Sequence, residues 1–159
     1  MTEPSTLVTP VERPVEAPAE SIDGLALLLD RLETGPPVPI AELVGMRTLA
    51  AERGRVVFAA AAEPRFANPM GGLHGGLIAT LLDSALGCAA MTVLPAGQLY
   101  TTLTLEVKYL RATPLDGTEL VAEGTVVHAG RRQITVEGSL TNAAGKTVAT
   151  ATSTCMVLD

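Results

Sequence analysis

A strongly apolar helical pattern in the middle of the chain dominates the hydrophobic profile. From Leu77 onward, apolar side chains recur at the spacing of a helix, and the sequence Pro95-Ala96-Gly97 ends the pattern. The apolar positions that share this spacing are Leu77, Ile78, Leu81, Leu82, Ala85, Leu86 and Ala89. Because this helix is apolar nearly all round, other parts of the fold must cover it.

The chain after residue 98 alternates apolar and polar residues, as half-buried strands do. In residues 99–111 the pattern predicts one buried and one solvent-facing set. The buried set is Thr101, Leu103, Leu105, Val107 and Tyr109, and the solvent-facing set is Thr102, Thr104, Glu106 and Lys108. Short turns separate three further strands. The predicted fold class is therefore α+β, with a curved antiparallel sheet wrapped around one long central helix.

The amino-terminal third contains weaker signals. Residues 1–20 are rich in Pro, Glu and Ala and are predicted to form a flexible tail. Residues 21–39 are predicted to form a short amphipathic helix, capped by Ser21 and ending at Glu33, and a linker. The domain proper is expected to span residues 40–159. It begins with two strands, predicted over residues 40–52 and 55–62.

Composition and charge exclude several classes of function. The chain has 159 residues and 47% hydrophobic content, which suffices for one domain with a sizeable core. A net charge of −6 argues against binding to nucleic acids or anionic membranes. The two cysteines and two histidines lack zinc-ligand spacing, so no metal is predicted. No signal peptide, membrane span, serine-hydrolase elbow or phosphate loop is present, and a cytoplasmic location is expected.

The start of the central helix is unusual. His74, Gly75 and Gly76 precede the apolar run, and none of them is a Ser, Thr, Asp or Asn that would cap a helix. Glycine in a helical turn costs up to about 1 kcal/mol relative to alanine, so stability alone does not explain this choice. The pattern predicts bare N–H groups at the positive end of the helix dipole, open to an oxyanion or a polarised carbonyl.

Asp83 is an acid two turns into the same helix. It shares a weakly polar stripe with Gly76, Thr80 and Gly87. A carboxylate there suits a nucleophile or general base, but a structural hydrogen bond to a nearby backbone group, Ser or Thr is an equal alternative. Eight residues at about 1.5 Å each separate Gly75 from Asp83 by about 12 Å. If both act on one substrate, they must come from two chains, so a catalytic role predicts a two-fold dimer with shared sites.

The pattern Asn68-x-x-Gly71-x-x-His74-Gly75-Gly76, followed by Asp83, resembles that of the hotdog-fold acyl-CoA thioesterases, specifically the phenylacetic-acid-degradation branch. The resemblance spans residues 44–158. It implies hydrolysis of a coenzyme A thioester without a metal or other cofactor.

The resemblance also implies residue roles. The Gly75 N–H would polarise the thioester carbonyl beside His74, and Asn68 would lie across the dimer from Asp83. Each has a structural alternative: His74 and Asn68 can hold the loop, the latter by an Asx turn. Thr102 matches a hydroxyl that positions water in some relatives, although its strand parity favours an ordinary solvent-facing threonine.

For coenzyme A, the candidates are Arg131 and Arg132, which follow Gly130 at a hairpin tip; a charged tip can also be merely solvated. Lys108, Arg111 and Arg65 are the candidates behind them. The expected assembly is a homodimer, with tetramers left open. An enoyl-acyl hydratase and a non-catalytic acyl-CoA-binding protein are the alternative functions. Several residues are candidates for a pocket that would hold an aryl or an aliphatic acyl group: Met46, Phe58, Phe66, Met70 and Met91.

Overall fold

The computed structural model describes residues 23–158, which form three α-helices and six strands. The helices are α1 (Gly24–Glu33), α2 (Pro39–Val44) and α3 (Gly75–Met91). The strands are β1 (Arg47–Glu52), β2 (Arg55–Ala61), β3 (Leu99–Tyr109), β4 (Glu119–Ala129), β5 (Gln133–Asn142) and β6 (Thr147–Leu158). A 3-10 turn (Pro64–Phe66) lies in the loop that leads to α3.

The strands form one open antiparallel sheet in the order β1-β2-β4-β5-β6-β3. Helix α3 packs against five of these strands, all except β1. Strands lie about 4.8 Å apart and a helix is about 10 Å wide, so only a sheet that curls around the helix can contact it this broadly. The helix has fully buried side chains at Leu81, Leu82 and Leu86. The predicted architecture, a curved antiparallel sheet around a central helix, is confirmed.

The sheet and α3 approach one another most closely at Gly124 on β4. A Cβ atom at this position would lie 2.5 Å from the carbonyl oxygen of Ala85 and 2.8 Å from the backbone nitrogen of Leu86. The helix backbone therefore rests directly on the strand, with no side chain between them. This contact fixes the height of α3 above the sheet, and with it the position of the polar stripe on the same helix.

The amino-terminal segment differs from the prediction in two places. Asp23 caps α1, since its Oδ1 accepts a hydrogen bond of 2.9 Å from the backbone nitrogen of Ala26; Ser21 and the predicted tail, residues 1–20, lie outside the described residues. The strand predicted from residue 40 is wrong over its first part, because α2 occupies Pro39–Val44. Pro39 favours the first helical turn, and Gly45 ends the helix in a left-handed conformation with φ of 66°.

Strand β3 contains a bulge that reverses the predicted alternation over its first part. Its register against β6 shifts between Thr102 and Thr104, so Leu103 is an extra residue in the ladder. Before the bulge, Tyr100 and Thr102 point toward α3, whereas Leu103 is 51% exposed. The prediction that Leu103 is buried and Thr102 faces solvent is therefore wrong, because period-two counting does not detect an inserted residue.

Candidate active site

The amino terminus of α3 is capped by His74. Its Nδ1 accepts a hydrogen bond of 2.8 Å from the backbone N–H of Gly76. The expectation that no side chain caps this helix is therefore wrong: a histidine can accept through a ring nitrogen as the common capping residues do through oxygen. Since Nδ1 accepts, a neutral His74 holds its proton on Nε2 and presents a donor outward.

Gly75 retains an open N–H next to this cap. Within residues 23–158, no hydrogen bond is made by the Gly75 N–H. The hydroxyl of Tyr109 donates to the Gly75 carbonyl oxygen over 3.1 Å. A Cβ at Gly75 would lie 3.3 Å from the Tyr109 ring. Glycine thus serves two purposes at this position: it admits the Tyr109 ring and leaves a donor at the positive end of the helix.

Asp83 lies opposite Thr102, which the β3 bulge turns inward. The Thr102 hydroxyl donates a hydrogen bond of 3.0 Å to Asp83 Oδ1. In the described part of the chain, this is the only side-chain hydrogen bond to the Asp83 carboxylate. One oxygen is therefore held in place while the other stays open, so the structural alternative for Asp83 and a chemical role are compatible.

Tyr100 and Cys88 complete the surroundings of Asp83. The Tyr100 ring packs on the helix where Gly87 has no side chain, since a Cβ there would lie 2.7 Å from the Tyr100 hydroxyl. Burial, with the neighbouring cysteines and Asp83, raises the pKa of Tyr100 above its usual range. Burial, and then the charge of Asp83, raises the pKa of Cys88 to about 11. Both groups are therefore protonated at neutral pH.

Asn68 organises the loop before the helix. Its Oδ1 accepts hydrogen bonds from the backbone nitrogens of Met70 at 2.9 Å and Gly72 at 3.1 Å, and its Nδ2 donates to the Leu73 carbonyl at 3.4 Å. The Asx turn that was the structural alternative is thus present. The side chain of Asn68 holds the loop that leads to His74 and Gly75.

The amino terminus of α3 and the middle of the helix, at Asp83, open into different cavities. The acid groove, about 650 Å³ in volume, is lined by Asp83, Thr102 and Tyr100, with α1 and α2 forming much of its opposite wall. The glycine groove, about 410 Å³, is lined by Gly75, Asn68, Tyr109 and the segment that follows β3. No residue lines both grooves. Asp83 and Gly75 of one chain therefore do not share a cavity.

The glycine groove has charged and polar lining residues, among them one of the predicted secondary candidates for coenzyme A. Arg111 lines it, as does Thr113, which is only 5% exposed. The Thr113 hydroxyl is buried and, among the described residues, has no hydrogen-bond partner. The guanidinium of Arg111 suits a phosphate ligand in this groove.

The hairpin-tip residues that were predicted to contact coenzyme A lie outside both grooves. Gly130 closes the hairpin between β4 and β5 by donating its N–H to the Gln133 carbonyl over 2.9 Å. Arg131 and Arg132 are exposed at this tip, and neither lines the acid groove or the glycine groove. Within one chain, Asp83 therefore lies next to Thr102, and His74 lies next to Gly75 and the Asn68 loop. The arginine tip lines neither of the grooves that contain these residues.

Two residues that line the grooves, Tyr100 and Tyr109, were not predicted as site residues. The two tyrosines are the only ones in the chain, and both contact glycines of α3. The two tyrosines are nine residues apart, so strict alternation would place them on opposite faces of the strand, and only the bulge at Leu103 turns both toward α3. Over residues 23–158 no group of three potential metal ligands occurs, and no helix there is long and apolar enough to cross a membrane.

Comparison with known proteins identifies the family. Residues 70–149 match the model of the thioesterase superfamily. The chain belongs to this superfamily. A Saccharolobus solfataricus protein that is named as a candidate esterase is 30% identical over 75% of this chain and 83% of its own length.

Solved structures of similar proteins support the same assignment. A variant of the phenylacetic acid degradation protein of Thermus thermophilus is 28% identical, with a TM-score of 0.70, over 76% of this chain and 100% of that one. A Streptococcus mutans protein bound to acetyl-CoA is 31% identical, with a TM-score of 0.66, over 71% of this chain and 88% of that one. The predicted hotdog fold and the resemblance to phenylacetic-acid-degradation thioesterases are confirmed.

Proposed function

We propose that this thioesterase-superfamily protein hydrolyses acyl-CoA thioesters at two sites, each shared between the subunits of a homodimer. The observation that supports this most directly is the division of chemistry between two grooves. A carboxylate with one held and one open oxygen lies in the acid groove, and an open N–H at a helix terminus lies in the glycine groove. Each is half of an acyl-transfer site, and a two-fold axis supplies the other half.

Strand β3 offers the surface for such a dimer. Among residues 23–158 it is an edge strand that pairs only with β6, so in this part of the chain its other edge has free N–H and C=O groups. Two apolar side chains on it, Leu99 and Leu103, are 40% and 51% exposed. Antiparallel pairing of β3 with its copy would extend the sheet across the axis and place the two α3 helices side by side. The acid groove of one subunit would then face the glycine groove of the other.

In the proposed reaction the thioester carbonyl oxygen accepts a hydrogen bond from the Gly75 N–H, aided by the Nε2–H of His74. A donor of this kind is worth about 3 kcal/mol when negative charge develops on that oxygen. Asp83 of the other subunit, oriented by Thr102, acts on the carbonyl carbon. Asn68 contributes by holding the loop that presents His74 and Gly75; its direct contact with the thioester stays a prediction.

Two chemical routes are consistent with this arrangement. As a general base, Asp83 takes a proton from water, the hydroxide adds to the carbonyl carbon, and the tetrahedral intermediate expels the coenzyme A thiolate, which takes the proton from Asp83. As a nucleophile, the Asp83 carboxylate expels the thiolate directly and forms a mixed anhydride that water then hydrolyses. Both routes yield a free acid and coenzyme A, and neither requires a cofactor.

We assign the coenzyme A portion to the glycine groove, with Arg111 as its phosphate contact. The guanidinium lines the same groove as Gly75, whereas Arg131 and Arg132 line neither groove of their own chain. The hairpin-tip contact with coenzyme A stays a prediction for the assembled dimer. Pairing of dimers into tetramers and a cytoplasmic location also stay predictions.

The test is the release of free thiol from a panel of acyl-CoA thioesters by the purified protein, together with Asp83→Asn. We expect the wild type to release thiol and the variant to lose most of its turnover with fold and dimer intact, as measured by circular dichroism and light scattering. Near-full activity of Asp83→Asn would contradict the assignment of the acid. Binding of acyl-CoA without thiol release would instead identify a non-catalytic binding protein.

A further inference from the structure

The acid groove is built from two walls of different origin. Asp83, Tyr100 and Thr102 lie on α3 and β3. The opposite wall consists of α1, the linker at residues 34–38, and α2, all of which precede the region that matches the superfamily model. The wall opposite the proposed catalytic acid therefore lies outside the region that the superfamily model matches.

This wall is fixed to the body of the protein at the start of α1. The Gly24 N–H donates to the Leu94 carbonyl over 3.1 Å, and a Cβ at Gly24 would overlap the carbonyl oxygen of Met91. Asp23 caps the helix through one carboxylate oxygen and binds Arg53 through the other at 3.2 Å. Leu28, 6% exposed, packs into the hydrophobic core. The segment is thus docked, and the groove is part of the folded structure.

The chemistry of the wall matches an apolar chain. Most of its lining side chains are aliphatic or proline, with Leu32, Val38 and Ile40 still 42%, 50% and 44% exposed, and two, Arg31 and Glu42, are charged. A volume of about 650 Å³ lies within the roughly 300–1,000 Å³ of small-molecule sites, far more than an acetyl group fills. Two aromatic rings, Phe58 and Tyr100, also line the groove, so an aryl acyl group is the alternative occupant.

We propose that the acid groove holds an aliphatic acyl chain of several carbons, and that the α1–α2 segment determines which chain length is preferred. This inference rests on the proposed thioesterase function. The thioester carbonyl lies at Asp83, and the chain runs along the α1–α2 wall. Leu32 is then a specificity-determining residue, since its side chain faces the chain beyond the reacting carbon.

The helix offers a matched control. Leu29 and Leu32 are both leucines of α1, and they are 38% and 42% exposed. Leu32 lines the groove and Leu29 does not. Truncating either to alanine has a similar effect on helix propensity and surface area. A difference in substrate preference between the two variants is therefore due to the contact that Leu32 makes in the groove.

The experiment measures kcat/KM for a series from acetyl-CoA to dodecanoyl-CoA, with phenylacetyl-CoA as the aryl member. We expect Leu32→Ala to lower the octanoyl-to-acetyl ratio of kcat/KM by roughly four- to tenfold, because one lost methylene contact is worth about fourfold. We expect Leu29→Ala to leave the ratio within about twofold of the wild type. Equal ratios in the two variants, or a wild-type preference for phenylacetyl-CoA over every aliphatic member, would overturn the inference.

A binding measurement separates this inference from the proposed function. Calorimetric titration of the Asp83→Asn protein with octanoyl-CoA and acetyl-CoA requires no turnover. Tighter binding of octanoyl-CoA that Leu32→Ala weakens and Leu29→Ala does not would support the groove even if no thioester were hydrolysed. If the wild type hydrolyses thioesters but octanoyl-CoA does not bind more tightly in a way that depends on Leu32, the proposed enzymatic function stands and the acyl-chain groove is refuted.

Discussion

Thr102 donates a hydrogen bond of 3.0 Å to the Asp83 carboxylate, and it does so only because a bulge at Leu103 turns its side chain toward the helix. The pair links the edge strand to the central helix at the proposed reaction centre. It holds one carboxylate oxygen in a defined orientation and leaves the other free.

Thr102→Val should therefore impair catalysis more than folding. Valine keeps the shape and strand propensity of threonine but cannot donate. A hydrogen bond to a charged group contributes about 1.5–3 kcal/mol, so we expect kcat to fall by roughly ten- to a hundredfold. The neighbouring Thr101→Val, on the exposed face of the same strand, is the control. Equal kinetic constants for the two variants would show that this bond does not orient the acid.

The role of the Gly75 N–H can be isolated by proline. Position 75 is the first residue of α3, where proline is well tolerated, and His74 before it already has the extended backbone that precedes proline, with ψ of 127°. Gly75→Pro removes the N–H, whereas Gly75→Ala keeps it and adds a Cβ at the same place. We expect Gly75→Pro to reduce kcat by about a hundred- to a thousandfold relative to Gly75→Ala. Comparable losses in the two variants would mean that the Tyr109 contact, and not the donor, is what matters.

Shared sites predict complementation between inactive subunits. When Asp83→Asn and Gly75→Pro chains are mixed and allowed to exchange, each hybrid dimer has one site with both defects and one intact site. An equal random mixture should recover about a quarter of wild-type activity, since half of the dimers are hybrids with one intact site of two. The measurement is thiol release before and after subunit exchange. If each site lies within one chain, every hybrid site is defective and activity will not return.

Arginine substitutions locate the coenzyme A portion. Arg111→Ala should raise KM for acetyl-CoA by roughly tenfold with little change in kcat, because an arginine–phosphate contact contributes to binding throughout the reaction. With a short pantetheine thioester, which lacks the nucleotide, the variant and the wild type should have similar KM values. Arg131→Ala is the matched comparison at the hairpin tip. A larger effect on KM from Arg131→Ala than from Arg111→Ala would return the phosphate site to the tip.

Burial of Cys88 predicts a loss of stability at alkaline pH. The folded protein raises the pKa of this thiol from 9.0 to about 11, so between these values the unfolded chain releases a proton that the folded chain keeps. The free energy of unfolding should therefore fall as pH rises from about 9 to about 11. Urea titrations at pH 8 and pH 10.5 measure this fall, and Cys88→Ala should make it smaller. An unchanged pH dependence in Cys88→Ala would contradict the burial of the thiol.

The fold was largely predictable because its signals are local. The apolar periodicity of α3 and the turns around Gly117, Gly130 and Gly145 predict one helix and an antiparallel sheet. The short helix α2 was not predictable from hydrophobic period, since Ile40, Leu43 and Val44 suit a strand equally well. What decided it was backbone chemistry at its ends, namely Pro39 and the left-handed Gly45.

The sequence predicted which residues form the site better than it predicted which side chains contact them. His74, Gly75 and Asp83 stand out because each is a poor choice for a stable apolar helix. Their partners Thr102, Tyr100 and Tyr109 come from β3, and the orientation of these side chains depends on the bulge at Leu103. The sequence contains no residue type at this position that would predict a bulge. The contribution of α1 to the acid groove was also hidden, because packing between segments distant in sequence leaves no periodic signal.

The separation of the two grooves has a consequence for how the protein would behave at low abundance. If the sites are shared as proposed, a dissociated chain has a carboxylate without its donor and a donor without its carboxylate, so it should be inert toward thioesters. Specific activity would then decline on dilution below the dissociation constant of the pair and return on concentration. The amount of protein in the cell would itself act as the switch, with no effector required.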